Sequence, residues 1–401
     1  MSKKILVIGA GWEQTSLIKT AKNQGHYIIA THPDIKAEGF KLVDQYYVKD
    51  SIDIQGHIEI AKTYNIDAVL TDNCDYSLYT ASIVASKLKL PCVSIESAIL
   101  SNDKFSQRDC VKHVGVKQPS FYKIKNLNDL NKVSSIIGFP SIIKPIDSRG
   151  NFGITIIESK EMLEEAFYHA INNSPSRTLI YEEFINGTLI TVDGFCFKNG
   201  HQSLAVASRK FEEGIKPITK EIIYPSKFNK SINKSLLDNH NTVVKSLNYK
   251  FGHTHGEYIL TENNEIYLVE CTNRGGGVYT SSVILPLLTK YPINECLINQ
   301  ALGIDKFEPL NKGLESMTCS VMLTFLDYEI GRVIDEININ EVSKLPFVVR
   351  FKSKYGANDM IETIENGAGR HSMLVIKGDS VITTINNLKA FKRKLVTTYH
   401  K

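Results

Sequence analysis

The first hundred residues alternate short apolar runs with amphipathic stretches, the pattern of a doubly wound parallel sheet with flanking helices. Lys4 to Ile8 reads as a strand, Gln14 to Gln24 as a helix and Tyr27 to Ala30 as a second strand. A helix over Ile54 to Tyr64 follows, then a strand at Ala68 to Thr71, a helix over Ser77 to Leu88 and a short strand near Val93. From about Asn102 to Gly303 the period changes. Thr178 to Glu183, Leu189 to Phe197 and Tyr258 to Val269 alternate apolar and polar side chains, as half-buried strands of antiparallel sheets do. Strands near Met317 to Leu326, Phe347 to Phe351 and Ser372 to Ile376, with a helix over Val381 to Val396, complete the pattern. The expected architecture is α/β and α+β: a Rossmann-like lobe over residues 1–101, a body over 102–306 with a central subdomain at about 115–185, and a small C-terminal α+β lobe over 307–401.

The turn after the first strand, Gly9-Ala10-Gly11-Trp12-Glu13-Gln14, has two glycines of a dinucleotide-binding fingerprint but Gln14 in the third position. The second strand runs into Thr31-His32-Pro33-Asp34 without a convincing ribose-binding acid. A tight structural turn is the better reading, and an NAD site is disfavoured.

Two alternating runs meet at Asn263-Asn264, and asparagine tolerates the positive φ that a two-residue hairpin turn needs. A turn centred there places Glu257 directly opposite Glu270. Facing carboxylates on one strand pair repel each other, so a positive group belongs between them. A hard divalent cation such as Mg²⁺ suits oxygen ligands of this kind, while a solvated strand face is the competing reading of the pair alone. The segment then continues Cys271-Thr272-Asn273-Arg274-Gly275-Gly276-Gly277, a guanidinium suited to binding a carboxylate or phosphate beside a glycine run that admits close approach.

Other segments add candidates. Lys144 ends the apolar run Ser141-Ile142-Ile143, where burial is costly unless an anion meets the ammonium. The loop Ser148 to Gly153, with Gly150 inside it, offers backbone amides for phosphate oxygens, although an ordinary hairpin with an exposed lysine at the strand end is the better reading of this segment alone. Asn102 or Asp103 caps a helix that begins near Lys104 and that Gly115 terminates. Leu179 to Gly187 is a strand that ends at a turn. His253 and His255 share the face of Glu257, and Arg209, Lys210 and Tyr224-Pro225-Ser226 are further candidate lining residues.

Composition narrows the function classes. The chain has 401 residues, with 42% hydrophobic and 22% charged, which excludes disordered, collagen-like and coiled-coil readings. Its 47 Lys and Arg against 43 Asp and Glu give +4, so no electrostatic case for nucleic acid arises. No apolar run approaches the length of a membrane span, and the opening run is too short for a signal peptide. Seven scattered cysteines without a CxxC pair fit reduced thiols in a cytoplasm.

The order of these segments resembles the ATP-grasp superfamily, and within it the carboxylate-amine ligases, including L-amino-acid ligases and purine-pathway enzymes. The resemblance spans roughly the whole chain. It implies ATP with Mg²⁺, or Mn²⁺ as a substitute. Lys104 and Lys144 would contact phosphates beneath a flap of Ser148, Gly150 and Gly153. Glu182 and the backbone of Glu183, Phe184 and Ile185 would meet adenine. Glu257 and Glu270 would bind the metal, with Thr272 or Asn273 completing its shell, and Arg274 would hold the substrate carboxylate or its acyl phosphate. Arg274 and Lys144 are thus the implied catalytic residues. Leu189 stands where relatives often carry a ribose-binding glutamate.

The implied reaction phosphorylates a small-molecule carboxylate and joins the acyl phosphate to an amine, releasing ADP and phosphate, without a protein nucleophile. Alternatives are a purine-type ligase on a phosphoribosyl amine, a bicarbonate-activating relative, or a non-catalytic ATP-binding sensor. The implied partners are small molecules, with no nucleic acid or membrane, and a homodimer stays open.

Overall fold

The computed structural model describes residues 2–148, 152–211, 218–304, 309, 317 and 319–400. The buried run Ile5 to Ile8 forms β1 (Lys4–Ile8), the centre of a four-stranded parallel sheet with β2 (Tyr27–His32), β3 (Gln45–Val48) and β4 (Ala68–Leu70) in the order β3-β2-β1-β4. Helices α1 (Thr15–Asn23), α2 (Ile54–Tyr64) and α3 (Asp75–Leu88) connect and flank it. The edge strand β3 has no counterpart in the hydropathy reading because Gln45-Tyr46-Tyr47-Val48 is half exposed and its alternation is muted. Conversely, no strand forms near Val93. There the chain runs from Pro91 into Ser94, whose Oγ accepts from the Ser97 N–H at 3.1 Å and caps α4 (Ile95–Ser101).

The first turn is closed by its own side chain. Gly9 has φ +106°, and the Gln14 amide donates to the Asp72 carbonyl at 3.0 Å. A Cβ on Gly11 would stand 3.1 Å from Gln14 Oε1. Gln14 therefore occupies the ground over which a pyrophosphate sits in dinucleotide-binding turns.

Asp103 caps α5 (Lys104–Cys110), accepting from the Ser106 N–H at 3.0 Å. This helix ends at Cys110, earlier than the glycine signal suggests, and Gly115 (φ +79°) lies in the turn beyond. The central subdomain pairs β5 (Phe121–Ile124), β6 (Ser141–Pro145), β7 (Thr155–Ile157) and β8 (Leu179–Glu183) antiparallel in the order β5-β8-β6-β7. Helices α6 (Leu127–Ile137) and α7 (Leu163–Asn172) cover it through Leu130, Leu163 and Phe167.

The body is an eight-stranded antiparallel sheet. It contains β9 (Thr188–Phe197), β10 (Gly200–Phe211), β11 (Thr219–Tyr224), β12 (Gly252–Leu260), β13 (Ile266–Thr272) and β14 (Ser320–Thr324). Past a ribbon strand β15 (Ile334–Ile337), which pairs with Thr397–Tyr399, come β16 (Val348–Ser353) and β17 (Ser372–Gly378). The order is β13-β12-β9-β10-β11-β14-β17-β16, so the strands after residue 319 extend the sheet of the body through the β11–β14 pairing. Helix α8 (Lys230–Ser246) packs on one face, burying Leu236, Val243 and Val244 against Val192, Val206 and Tyr258. On the other face, Phe195, Leu285 and Leu323 share a core with Ile5 and Leu17 of the N-terminal lobe. That shared core fixes the two sheets around one cleft. Among the described residues no helix is long and apolar enough to cross a membrane.

Candidate active site

The β12–β13 hairpin pairs Glu257 with Glu270, as the sequence predicts, but by a different route. Its loop is not the two-residue turn. The Thr261 N–H donates to the Glu265 carbonyl at 3.0 Å, and Leu260 pairs with Ile266, a register one residue short of the predicted one. An irregularity between Glu257 and Tyr258 skips Val269 and restores the missing residue, a β-bulge that re-aims the strand end.

The paired carboxylates line a cavity of about 610 Å³ between the N-terminal lobe, the large sheet and the β6–β7 loop. Each carries a cation. Arg209 Nη1 lies 2.7 Å from Glu257 Oε1, and Lys104 Nζ lies 3.0 Å from Glu270 Oε2. Burial opposes ionisation of Glu257, but Arg209 and then His255 outweigh it and hold this carboxyl well below the usual range. Burial likewise works against the Lys104 ammonium, and Glu270 more than compensates, so its pKa rises. Lys104 also donates to the Ser148 carbonyl at 2.9 Å, tying α5 to the start of the β6–β7 loop. Phe152 lines the cavity from the far side of that loop; Gly150 lies outside the described residues.

Thr272 and Arg274 also reach the cavity wall, whereas Asn273 does not. The Asn273 amide donates to the carbonyls of Phe251 (2.8 Å) and His253 (2.9 Å) and faces a separate small cavity. Arg274 is clamped by Asp75 through Nε (2.5 Å) and Nη2 (3.1 Å), a forked pairing that fixes the guanidinium plane.

Lys144, Gly153 and the segment Glu182 to Ile185 stand apart from this cavity. The Lys144 ammonium is buried 2.9 Å from Glu182 Oε2, and burial pulls its pKa down. The Glu182 carboxylate, expected at the polar edge of adenine, lies between Lys144 and Arg108, whose Nε is 2.7 Å away. Burial would raise its pKa, but the two cations lower it. Glu183 is exposed and receives the Ser120 N–H at 3.3 Å, and the Phe184 N–H donates to the Pro140 carbonyl. Gly153 holds φ +74°, and a Cβ there would press within 2.8 Å of Asn173 Cβ.

Asp193 and Arg370 escaped the sequence reading; of the two, Arg370 lines the cavity. His255 Nδ1 meets Asp193 Oδ1 at 2.7 Å, and the Tyr224 hydroxyl donates to the other Asp193 oxygen at 2.5 Å. Burial disfavours the His255 cation, yet Asp193 raises its pKa on balance. Arg370 is the most distinctive. Its guanidinium lies over the Phe325 ring at 4.0 Å, its Nε has no hydrogen-bond partner, and no carboxylate pairs with it among the described residues. Burial, and next the charge of Arg209, lower its pKa to about 10. Nothing local in the sequence marks Arg370; only the β14–β17 pairing brings it to the cavity.

Residues 137–282 match the family model for the ATP-grasp domain. The formate-dependent phosphoribosylglycinamide formyltransferase of Bacteroides thetaiotaomicron is 27% identical over 220 residues, covering 50% of this chain and 55% of that protein. The chain thus spans about half the length of the curated relatives it matches. Among solved structures, an L-amino acid ligase from Bacillus licheniformis superposes with TM-score 0.85 at 16% identity, covering 100% of this chain and 99% of the other. Phosphoribosylglycinamide synthetase from Anaerococcus prevotii gives 0.79 at 19% identity with full coverage of both chains. At these identities the structural likeness establishes the fold.

Proposed function

A chain that carries an ATP-grasp domain around this cavity is, we propose, an ATP-dependent ligase that phosphorylates a small-molecule carboxylate and joins it to an amine, releasing ADP and phosphate. The observation that carries the reading is the pair Glu257 and Glu270 meeting Lys104, Arg209 and Arg274 on one cavity wall. The donor set fits a hard divalent cation. Glu257, Glu270 and Thr272 line the cavity, and no group of three His, Cys, Asp or Glu side chains able to hold a metal exists among the described residues. Most of the shell would then be water and phosphate oxygen, as Mg²⁺ prefers. Bound there, Mg²⁺ would neutralise charge on the transferring phosphoryl group.

On this reading the protein supplies position and charge rather than a nucleophile. Lys104 holds phosphate oxygens and the start of the flap together. Arg274, held in one orientation by Asp75, presents its remaining edge to the carboxylate that is activated. Lys144 reaches the nucleotide from the interior, and Glu182 keeps that lysine and Arg108 in place. The backbone from Glu183 to Ile185 takes the adenine edge. Residues 1–101 form the lobe that contributes Glu13 and Asp75 to the wall.

Arg370 favours one class of acceptor. A half-buried guanidinium whose Nε is shielded from water and which has no carboxylate partner is costly unless a ligand anion completes it. That supports an amine bearing a negatively charged group, the phosphoribosyl amines of purine-type ligases included. The test is ADP formation with Mg²⁺ across a panel of carboxylates, each paired with neutral and with phosphate-bearing amines. ATP binding without ADP release from any pair would sink the ligase in favour of a sensor.

A further inference from the structure

A second, much smaller cavity lies behind Arg274, where the N-terminal sheet meets the β12–β13 pair. It offers about 20 Å³ to the centre of a water-sized sphere. Three of its wall residues come from separate segments: Asp72 follows β4, His253 stands in β12 and Asn273 follows β13. All three are at least nine-tenths buried, at 3%, 3% and 2% exposure. Each also has side-chain atoms without a hydrogen-bond partner in the protein: Asp72 Oδ1, Asn273 Oδ1 and both ring nitrogens of His253.

The other polar side-chain atoms of Asp72 and Asn273 are committed elsewhere. Asp72 Oδ2 accepts from the Ser281 hydroxyl at 2.7 Å, and the Asn273 amide nitrogen donates to two carbonyls. A Cβ added to Gly275, another wall residue, would come within 2.4 Å of Asp72 Oδ1, so glycine there keeps the approach to that oxygen open. Buried polar groups left in such numbers on one wall are rare in folded proteins, because each costs roughly 1–3 kcal/mol when unpaired.

We propose that this cavity is a binding site for one water molecule, which donates to Asp72 Oδ1 and Asn273 Oδ1 and accepts from a ring N–H of His253. The chemistry of the wall selects that ligand. Asp72 Oδ1 and Asn273 Oδ1 take the two hydrogens of a water and one ring N–H of His253 meets one of its lone pairs, the second ring nitrogen staying outside this set, and a single water needs on the order of 10–15 Å³ of space for its centre. A transition metal is a poor match, since no cluster of three His, Cys, Asp or Glu ligands forms here among the described residues. The bound water cross-links the turn that leads into Asp75 with the turn that carries Arg274, so it stiffens the base of the guanidinium clamp from the side away from the large cavity. The site does not depend on the ligase reading.

The experiment is a crystal structure of the full chain at a resolution that shows ordered water, repeated after a rubidium soak. One peak within hydrogen-bond reach of Asp72, His253 and Asn273, without anomalous signal, is the expected result. An empty cavity, direct hydrogen bonds among the three side chains, or a rubidium peak overturns the assignment. His253→Phe keeps an aromatic ring against Phe195 and removes the donor, so its structure should lose the peak; a peak of unchanged occupancy in that variant also overturns it. Should His253→Phe fail to fold, the wild-type pair of data sets decides alone.

Discussion

Glu257 faces Glu270 across the β12–β13 ladder, and each carboxylate is held by a cation from a different segment: Arg209 on β10 and Lys104 at the start of α5. Like charges opposed on a strand pair destabilise the sheet, so the two cations explain why the arrangement is tolerated by the protein alone. A divalent cation entering the site would loosen or displace these ion pairs, which couples metal binding to the position of Lys104 and the loop it holds at Ser148.

Replacing Glu270 by Gln removes the charge and keeps the shape. Activity should fall by at least about 100-fold, the upper range seen for partners merely adjacent to a metal, while the folded state persists. ADP release at fixed Mg²⁺, with circular dichroism as the control on folding, checks this. Wild-type turnover in Glu270→Gln would remove the paired-carboxylate mechanism.

Arg370 separates binding from stability. Arg370 is half-buried without a carboxylate partner, so exchanging it for an apolar side chain of similar length removes a partly desolvated charge and keeps the packing on Phe325. Arg370→Met should therefore unfold at equal or higher denaturant concentration, yet show a KM for the anionic acceptor raised tenfold or more, with the KM for ATP little changed. A loss of stability together with unaltered acceptor KM would show that the guanidinium serves packing over Phe325 instead.

The local patterns that were legible are those whose cause is local. The apolar runs of β1, β6 and β9 announce themselves, and the cap at Asp103 follows from its side chain. The Glu257–Glu270 pairing came out right because two departures cancel: the longer loop at Thr261 to Glu265 shifts the register by one and the bulge at Val269 shifts it back. Arg370 and Asp193 were invisible because their roles depend on strands distant in sequence lying side by side. Glu182 reads locally as a strand end, and only the fold brings Arg108, 74 residues upstream, to its carboxylate.

That Arg108–Glu182–Lys144 cluster predicts a large structural effect. Side-chain exposures are 1%, 3% and 6%, so removing the shared anion leaves two buried cations without compensation. Glu182→Gln should cost about 3–5 kcal/mol, the range for breaking a buried pair from one side. Urea unfolding of the wild type and variant measures it; a change below about 1 kcal/mol would mean that water reaches the site and screens it.

Acid stability is set in part by a directed chain of hydrogen bonds under α8. Asn241 Oδ1 accepts from the Ser203 N–H at 3.1 Å, so the His201 Nδ1 facing it at 2.9 Å carries a proton. His201 Nε2 then accepts from the Thr254 hydroxyl at 2.7 Å, Thr254 accepts from His240 Nε2 at 3.0 Å, and His240 Nδ1 accepts from the Tyr258 hydroxyl at 2.9 Å. Both imidazoles are neutral in this chain, and a further proton on either forces the hydroxyl it faces to turn from donor to acceptor. Burial lowers the pKa of His201 from 6.5 to about 4 and that of His240 well below its usual value. A histidine depressed on folding binds its proton preferentially in the unfolded chain. Its contribution is therefore complete above pH 6.5 and is lost as pH falls toward 4, amounting to about 3 kcal/mol for His201. Urea midpoints measured between pH 7 and pH 4.5 should fall less steeply for His201→Gln than for the wild type. Parallel curves would mean that His201 titrates normally and that the chain of neutral imidazoles does not hold in solution.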